Sequence, residues 1–171
     1  MLTYDEISAL PVYQCVSISW PSPDGKTVAW GDVLGCVGFA EGATGREPLL
    51  LKARGTGITA LSFLADGKRV ASGNRRGGVH LWADELGKEP ELISEVGEPV
   101  GAVESSPDGE WLAVAAGSSL RLYSLRKNRS PVFFQGHRGK ITGLAFAPEG
   151  SRLISGGEDP TAIIWSAPPE R

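Results

Sequence analysis

The sequence predicts an all-β chain made of four copies of one unit, and three observations carry that prediction. Gly25, Gly67, Gly109 and Gly150 stand 42, 42 and 41 residues apart, each at the same place in a repeated stretch. A fixed period in the range of roughly 20–50 residues marks a repeat architecture. Apolar residues come in short runs split by Gly, Pro, Asp and Asn, and no stretch sustains a helical period. Each period accommodates four such runs. Four strands per cycle, with no helix, describe the blade of a β-propeller.

The elements follow in order. Tyr4–Tyr13 holds Ile7, Leu10 and Val12 at the apolar positions of a candidate strand. The first copy, CVSISWPSPDGKTVAWGDVLGCVGFA, carries what reads as an extra residue around Trp20-Pro21, a bulge. Its two cysteines, Cys15 and Cys36, fall on the first and third strands. With a strand between them they sit roughly 9–10 Å apart, too far for a disulfide. The second and third copies read ITALSFLADGKRVASGNRRGGVHLWA and VGAVESSPDGEWLAVAAGSSLRLYS. In the fourth, Ile141, Leu144 and Phe146 form a strand that closes at Ala147-Pro148-Glu149-Gly150. Gly150 supplies the positive φ that a bulged hairpin turn needs. Leu153 and Ile154 carry the second strand to Ser155-Gly156, Glu158-Asp159-Pro160 turns the chain, and Ala162 to Trp165 form the third. Outer strands are expected near Pro48–Leu51, Pro90–Ile93 and Pro131–Phe134. The boundaries give one domain, 1–171, with repeats at about 14–51, 52–93, 94–134 and 135–167, and 1–13 as a possible closing strand.

Composition narrows the function. The chain has 171 residues, 41% hydrophobic and 22% charged, enough to bury one core. Its net charge of -3 differs from the basic balance of a dedicated nucleic-acid binder. The 23 glycines and 12 prolines suit many tight turns. The start, MLTYDEISALPVYQC, shows neither a positive nor an apolar targeting region, and no apolar run approaches a membrane span. A cytoplasmic protein is expected, with no nucleic-acid or membrane partner.

Residue patterns for catalysis are weak. Asp24, Asp66, Asp108 and Glu149 recur in one turn of every copy, which makes them turn residues rather than paired acids. His80 lies beside Leu81 and Trp82 with only His137 as a second histidine, so a metal site is not expected. Gly55-Thr56-Gly57 lacks the following Lys and helix that a phosphate loop requires. No Ser, Cys or Thr has a His base at a usable spacing. The expectation is a non-enzyme with no cofactor and no metal.

Gly136-His137, Pro148-Glu149-Gly150, Ser155-Gly156, Asp159 and Ile164-Trp165 resemble the marks of the WD40-repeat family. The resemblance covers about residues 14–167 and is strongest in the fourth copy. It implies a WD40-type propeller of four blades per chain, a half-propeller or partial ring. It also implies a hydrogen-bond network of His137, Ser155, Asp159 and Trp165. The other copies depart from it. The His position holds Arg54 and Val96 in copies two and three, and the Asp position holds Leu34, Arg76 and Gly117. The terminal aromatics are Phe39, Trp82, Tyr123 and Trp165.

The same resemblance implies that the fourth blade lacks its outer strand. Three outcomes follow: closure by Tyr4–Tyr13, an eight-bladed dimer, or a portion of a longer propeller. In this family partners dock where first-strand loops meet second-to-third turns. By position those residues are Gln14, Val16, Gly57, Thr59, Pro99, Gly101, Lys140 and Thr142. Lys52, Arg54, Arg75 and Arg76 converge on that end of the second blade, with Arg138 and Lys140 on the fourth and Glu95 and Glu98 marking the third. The leading function is a protein–protein scaffold that self-associates to complete a propeller. The alternatives are a regulatory portion of a larger protein and a propeller enzyme or small-molecule binder.

Overall fold

The computed structural model describes residues 16–41, 49–52, 56–83, 89–126 and 129–168. The N-terminal candidate strand Tyr4–Tyr13 and Cys15 lie outside the described residues. The described residues form fifteen strands and no helix. They make four antiparallel sheets, each a simple meander. The first blade is β1 (Val16–Pro21), β2 (Thr27–Asp32), β3 (Cys36–Glu41) and β4 (Leu49–Lys52). The second is β5 (Ile58–Phe63), β6 (Arg69–Asn74), β7 (Gly78–Ala83) and β8 (Glu91–Glu95). The third is β9 (Val100–Ser105), β10 (Trp111–Ala116), β11 (Ser119–Ser124) and β12 (Val132–Gln135). The fourth has three strands among the described residues: β13 (Ile141–Phe146), β14 (Arg152–Gly157) and β15 (Ala162–Ser166).

The repeated turn behaves as its glycine demands. Gly25, Gly67, Gly109 and Gly150 have φ of 69°, 66°, 73° and 72°. The acid before each glycine closes its turn locally: Asp24 accepts from Ser22 Oγ, Asp66 from the N–H of Lys68 and Arg69, Asp108 from Ser106 Oγ, and Glu149 from Ser151 Oγ. Local satisfaction of this kind is the ordinary work of a turn carboxylate.

Two expectations change. The bulge is not at Trp20-Pro21 but at the start of β1, between Val16 and Ile18, and β5, β9 and β13 have it at the same register. The first copy therefore carries no extra residue, and Val16, rather than Cys15, is the register equivalent of Ile58, Val100 and Ile141. Nor is Phe39 the equivalent of Trp82. Trp82 pairs with Val70, and Val28, the equivalent of Val70, pairs with Ala40. The aromatic on that face of the first blade is Trp30, whose ring lies where a side chain at Gly38 would otherwise stand.

The core lies between blades. Ala29, Val37 and Phe39 of the first blade pack on Leu61, Phe63, Val70 and Trp82 of the second. Ala71, Val79 and Leu81 of the second pack on Val103, Leu112, Val114 and Tyr123 of the third. Ala113 and Leu122 of the third pack on Ile141, Leu144, Leu153 and Trp165 of the fourth. Each blade thus uses both faces, as a strand with period-two alternation allows.

Candidate functional site

One end of the molecule is built from the loops entering first strands and the turns between second and third strands. Hydrogen bonds lace these together across blades. Val96 N donates to Gly77 O at 2.9 Å and Ile141 N to Gly117 O at 2.8 Å, while within the second blade Arg75 N donates to Gly57 O at 3.2 Å. Within the fourth blade Glu158 N donates to Lys140 O at 2.8 Å.

The fourth blade brings His137, Ser155, Asp159 and Trp165 together. His137 Nδ1 lies 2.9 Å from Asp159 Oδ1, and its Nε2 lies 2.7 Å from Ser155 Oγ. Trp165 Nε1 donates to the same Ser155 Oγ at 2.7 Å. The donor inventory assigns the ring proton to Nδ1: imidazole donates to Asp159, accepts the Ser155 hydroxyl proton at Nε2, and every polar atom is matched. Asp159 also accepts from the Thr161 hydroxyl at 2.7 Å and from the N–H of Arg138 and Gly139 at 2.7 and 3.2 Å. These donors, Thr161 first and His137 next, hold the Asp159 carboxyl well below the usual carboxylate range, against an opposing push from burial.

The second blade keeps half of this arrangement. Trp82 Nε1 donates to Ser72 Oγ at 2.7 Å, and Ser72 is the register equivalent of Ser155. His80 enters from β7, with its ring centroid 6.3 Å from Trp82 at 49°; the pair His137–Trp165 measures 6.4 Å and 53°. Burial lowers the His80 pKa, with Glu95 opposing. Its cross-strand position opposite Ser72 is visible only once the β6–β7 register is known.

In the first two blades the turn is organised two residues earlier than the Asp159 position. Asp32 Oδ1 accepts from the N–H of Leu34 and Cys36, both at 2.8 Å. Asn74 Oδ1 accepts from the N–H of Arg76 and Gly78, both at 2.9 Å. These side-chain-to-backbone turns occupy the place of the missing Asp. The signal was present as Asp/Asn-x-x-Gly at 32–35 and 74–77.

The remaining sequence candidates are distributed unevenly. Gln14 and Arg54, and the side chains of Val16 and Lys52, lie outside the described residues. Gly57 is buried, and the Thr59 hydroxyl donates to Val100 O at 2.7 Å, joining blades two and three. Gly101 is half-buried against the Ile141 carbonyl. Arg75, Arg76, Pro99, Arg138, Lys140 and Thr142 are exposed.

Comparison with known proteins locates repeats of one family in two regions of the chain. The model described as "WD domain, G-beta repeat" matches residues 48–83 and 128–166. The chain carries WD40 repeats in these two regions. It is 38% identical over 60 residues to the Protein LST8 homolog of Dictyostelium discoideum, covering 34% of this chain and 20% of that one. It is 42% identical over 64 residues to the Periodic tryptophan protein 2 homolog of Neurospora crassa, covering 35% and 7% respectively. A WD repeat-containing protein of Synechocystis, sll1491, is 37% identical over 59 residues, covering 34% of this chain and 17% of its own. The matches thus span a fifth or less of these relatives. Among solved structures, a chain of the mitotic checkpoint complex superposes with a TM-score of 0.80 at 18% identity, over 88% of this chain and 47% of that one.

The fourth WD40 blade also presents an open flank. Gly143, Ala145, Ile154, Gly156, Ala162 and Ile164 share one face of it, in cross-strand pairs. Ile154 and Ile164 are 43% and 63% exposed, and nothing lies within 4 Å of a side chain placed at Gly143 or Gly156. The equivalent residues Ala71 and Leu81, and Ala113 and Leu122, are buried against the next blade. On the first strands, Glu104 of β9 lies 3.5 Å from Ser62 Oγ of β5. Burial pushes its carboxyl up to about 7, with the Ser62 hydrogen bond opposing. Among the described residues no group of three or more His, Cys, Asp or Glu could hold a metal ion, and no helix is long and apolar enough to cross a membrane.

Proposed function

We propose that this WD40 chain is a non-enzymatic protein-interaction scaffold that self-associates through the open flank of its fourth blade. The exposed Ile154–Ile164 face carries the reading: the same face is buried by a neighbouring blade at every earlier position, and an apolar sheet face of this kind seeks a cover. An eight-bladed ring of two copies also needs the opposite flank of the first blade. There Trp30 and Ala40 are 2% and 9% exposed, so that flank would first have to give up its present cover. Pairing of two fourth-blade flanks requires no such rearrangement. Light scattering on the purified chain tests the proposal. A mass of twice 18.0 kDa supports self-association, and a concentration-independent 18.0 kDa rejects it.

The second reading, a regulatory portion of a larger WD40 protein, is favoured by coverage: the chain aligns with 47% of the checkpoint-complex chain and no more than 20% of the relatives above. Under that reading the flank receives the next blade of the same polypeptide. Extending the reading frame and finding a monomer with a buried flank would favour it. A cytoplasmic location belongs to the same proposal, supported by the sparing use of cysteine, two in 171 residues.

A further inference from the structure

Two register-equivalent turns at the loop end present unlike chemistry side by side. The turn of the first blade is pinned by Asp32 and closed by Gly35 at φ 89°; that of the second is pinned by Asn74 and closed by Gly77 at φ 89°. Their tips differ. Val33 and Leu34 are 44% and 68% exposed, whereas the second tip carries exposed Arg75 and Arg76. Both tips rest on Gly57. Its carbonyl accepts Arg75 N at 3.2 Å, and a side chain there would lie 2.9 Å from Val33 O. Among the described residues neither guanidinium forms an ion pair. Beyond them stand exposed Glu95 and Glu98.

We propose that these paired tips dock an acidic peptide that carries one apolar side chain. The aliphatic or aromatic group covers Val33 and Leu34, and the flanking carboxylates meet Arg75 and Arg76. A cationic rim alone steers a partner, but an adjacent exposed apolar knob adds contact area that loses water on docking. The chain as a whole is acidic, with net charge -3, so the two free arginines are a local exception and attract acidic ligands to one place. Glu95 and Glu98 repel carboxylates on the third-blade side, which directs the acidic stretch across the second blade toward the first. The proposal deepens the scaffold reading but uses a surface separate from the fourth-blade flank.

The test is fluorescence anisotropy with a fluorescein-labelled peptide, EEDLEE, on the full chain at low ionic strength. Saturable binding that weakens with added salt is expected. Arg75→Glu with Arg76→Glu should weaken it by at least about tenfold and Leu34→Ser by at least about threefold. The peptides EEDSEE and KKRLKK should bind less well than EEDLEE, the second not at all. Unchanged melting curves for the variants, all at exposed positions, would show that the fold is kept. The proposal is overturned if EEDLEE does not bind, if KKRLKK binds as well, or if the arginine and leucine variants bind like the parent. Ile154→Asp with Ile164→Asp separates the two surfaces: it should change the mass and leave EEDLEE binding intact. Loss of peptide binding in that variant would place the site on the flank instead.

Discussion

Asp159 organises the fourth blade through five donors: His137 Nδ1, the Thr161 hydroxyl and the backbone N–H groups of Arg138, Gly139 and Thr161. Removing the carboxylate leaves the His137 N–H, buried beside Ser155, without an acceptor, and an unmatched buried donor is costly. Asp159→Ala should therefore lower the melting temperature by several degrees, as calorimetry can measure; an unchanged curve would remove the network from any stabilising role. The pH dependence has a definite sign. A carboxyl whose folded pKa is depressed contributes stability above its ordinary value near 3.8, and loses it as pH falls through the folded value. The gap between the parent and Asp159→Ala should accordingly narrow in acid. Glu104 works in the opposite direction. Its folded pKa of about 7 exceeds the ordinary 4.5, so the folded chain holds a proton that the unfolded chain releases, and stability declines as pH rises from about 4.5 to about 7. Glu104→Gln should flatten that decline and raise the melting temperature at pH 8. A variant with the parental pH profile would show that Glu104 ionises freely in the folded state.

At the scale of single elements, the β2–β3 and β6–β7 turns show what the sequence could and could not convey. Gly35 and Gly77 both adopt φ 89°, and side chains there would meet the Thr56 carbonyl at 2.7 Å and the Glu98 carbonyl at 2.8 Å. Gly25 also has positive φ, 69°, but nothing lies within 4 Å of it. Gly77→Ala should thus cost more than Gly25→Ala: the left-handed strain of about 1–2 kcal/mol applies to both, and the backbone collision only to the first. Denaturant melts of the two variants check the order, and equal losses would refute the collision. The Pro/Asp–Gly hairpins were legible because a turn is a local event among four residues. The terminal aromatic of the first blade was not. Counting along the chain selected Phe39, whereas the register places Ala40 opposite Val28 and fills that face with Trp30 from the neighbouring strand. A one-residue offset moves a side chain to the other face, and linear spacing cannot detect it.

For the whole molecule, the blades are joined by contacts between residues about one period apart. Thr59 Oγ1 donates to Val100 O at 2.7 Å, and Ser105 N donates to Ser62 Oγ at 3.2 Å. The same logic, continued past the fourth blade, predicts that its flank is sticky. Ile154→Asp with Ile164→Asp should convert a dimer of the chain into an 18.0 kDa monomer with its fold retained. A dimer that survives the double substitution would move the interface elsewhere.

The repeat, the strand count and the glycine turns were determined by the sequence itself. Each depends on short-range geometry: positive φ, alternation along a strand, and a period that recurs. The residues of the fourth-blade network could be named from the sequence only through their resemblance to the marks of the WD40-repeat family. Only the tertiary structure decided which face of each blade is covered, that Trp30 replaces a third-strand aromatic, that the His80 ring packs near Trp82, and that Val33 and Arg75 share a footing on Gly57. The physical reason is common to all four. They depend on register between strands and on packing between blades, interactions set by neighbours some forty residues away rather than by adjacent residues in the chain.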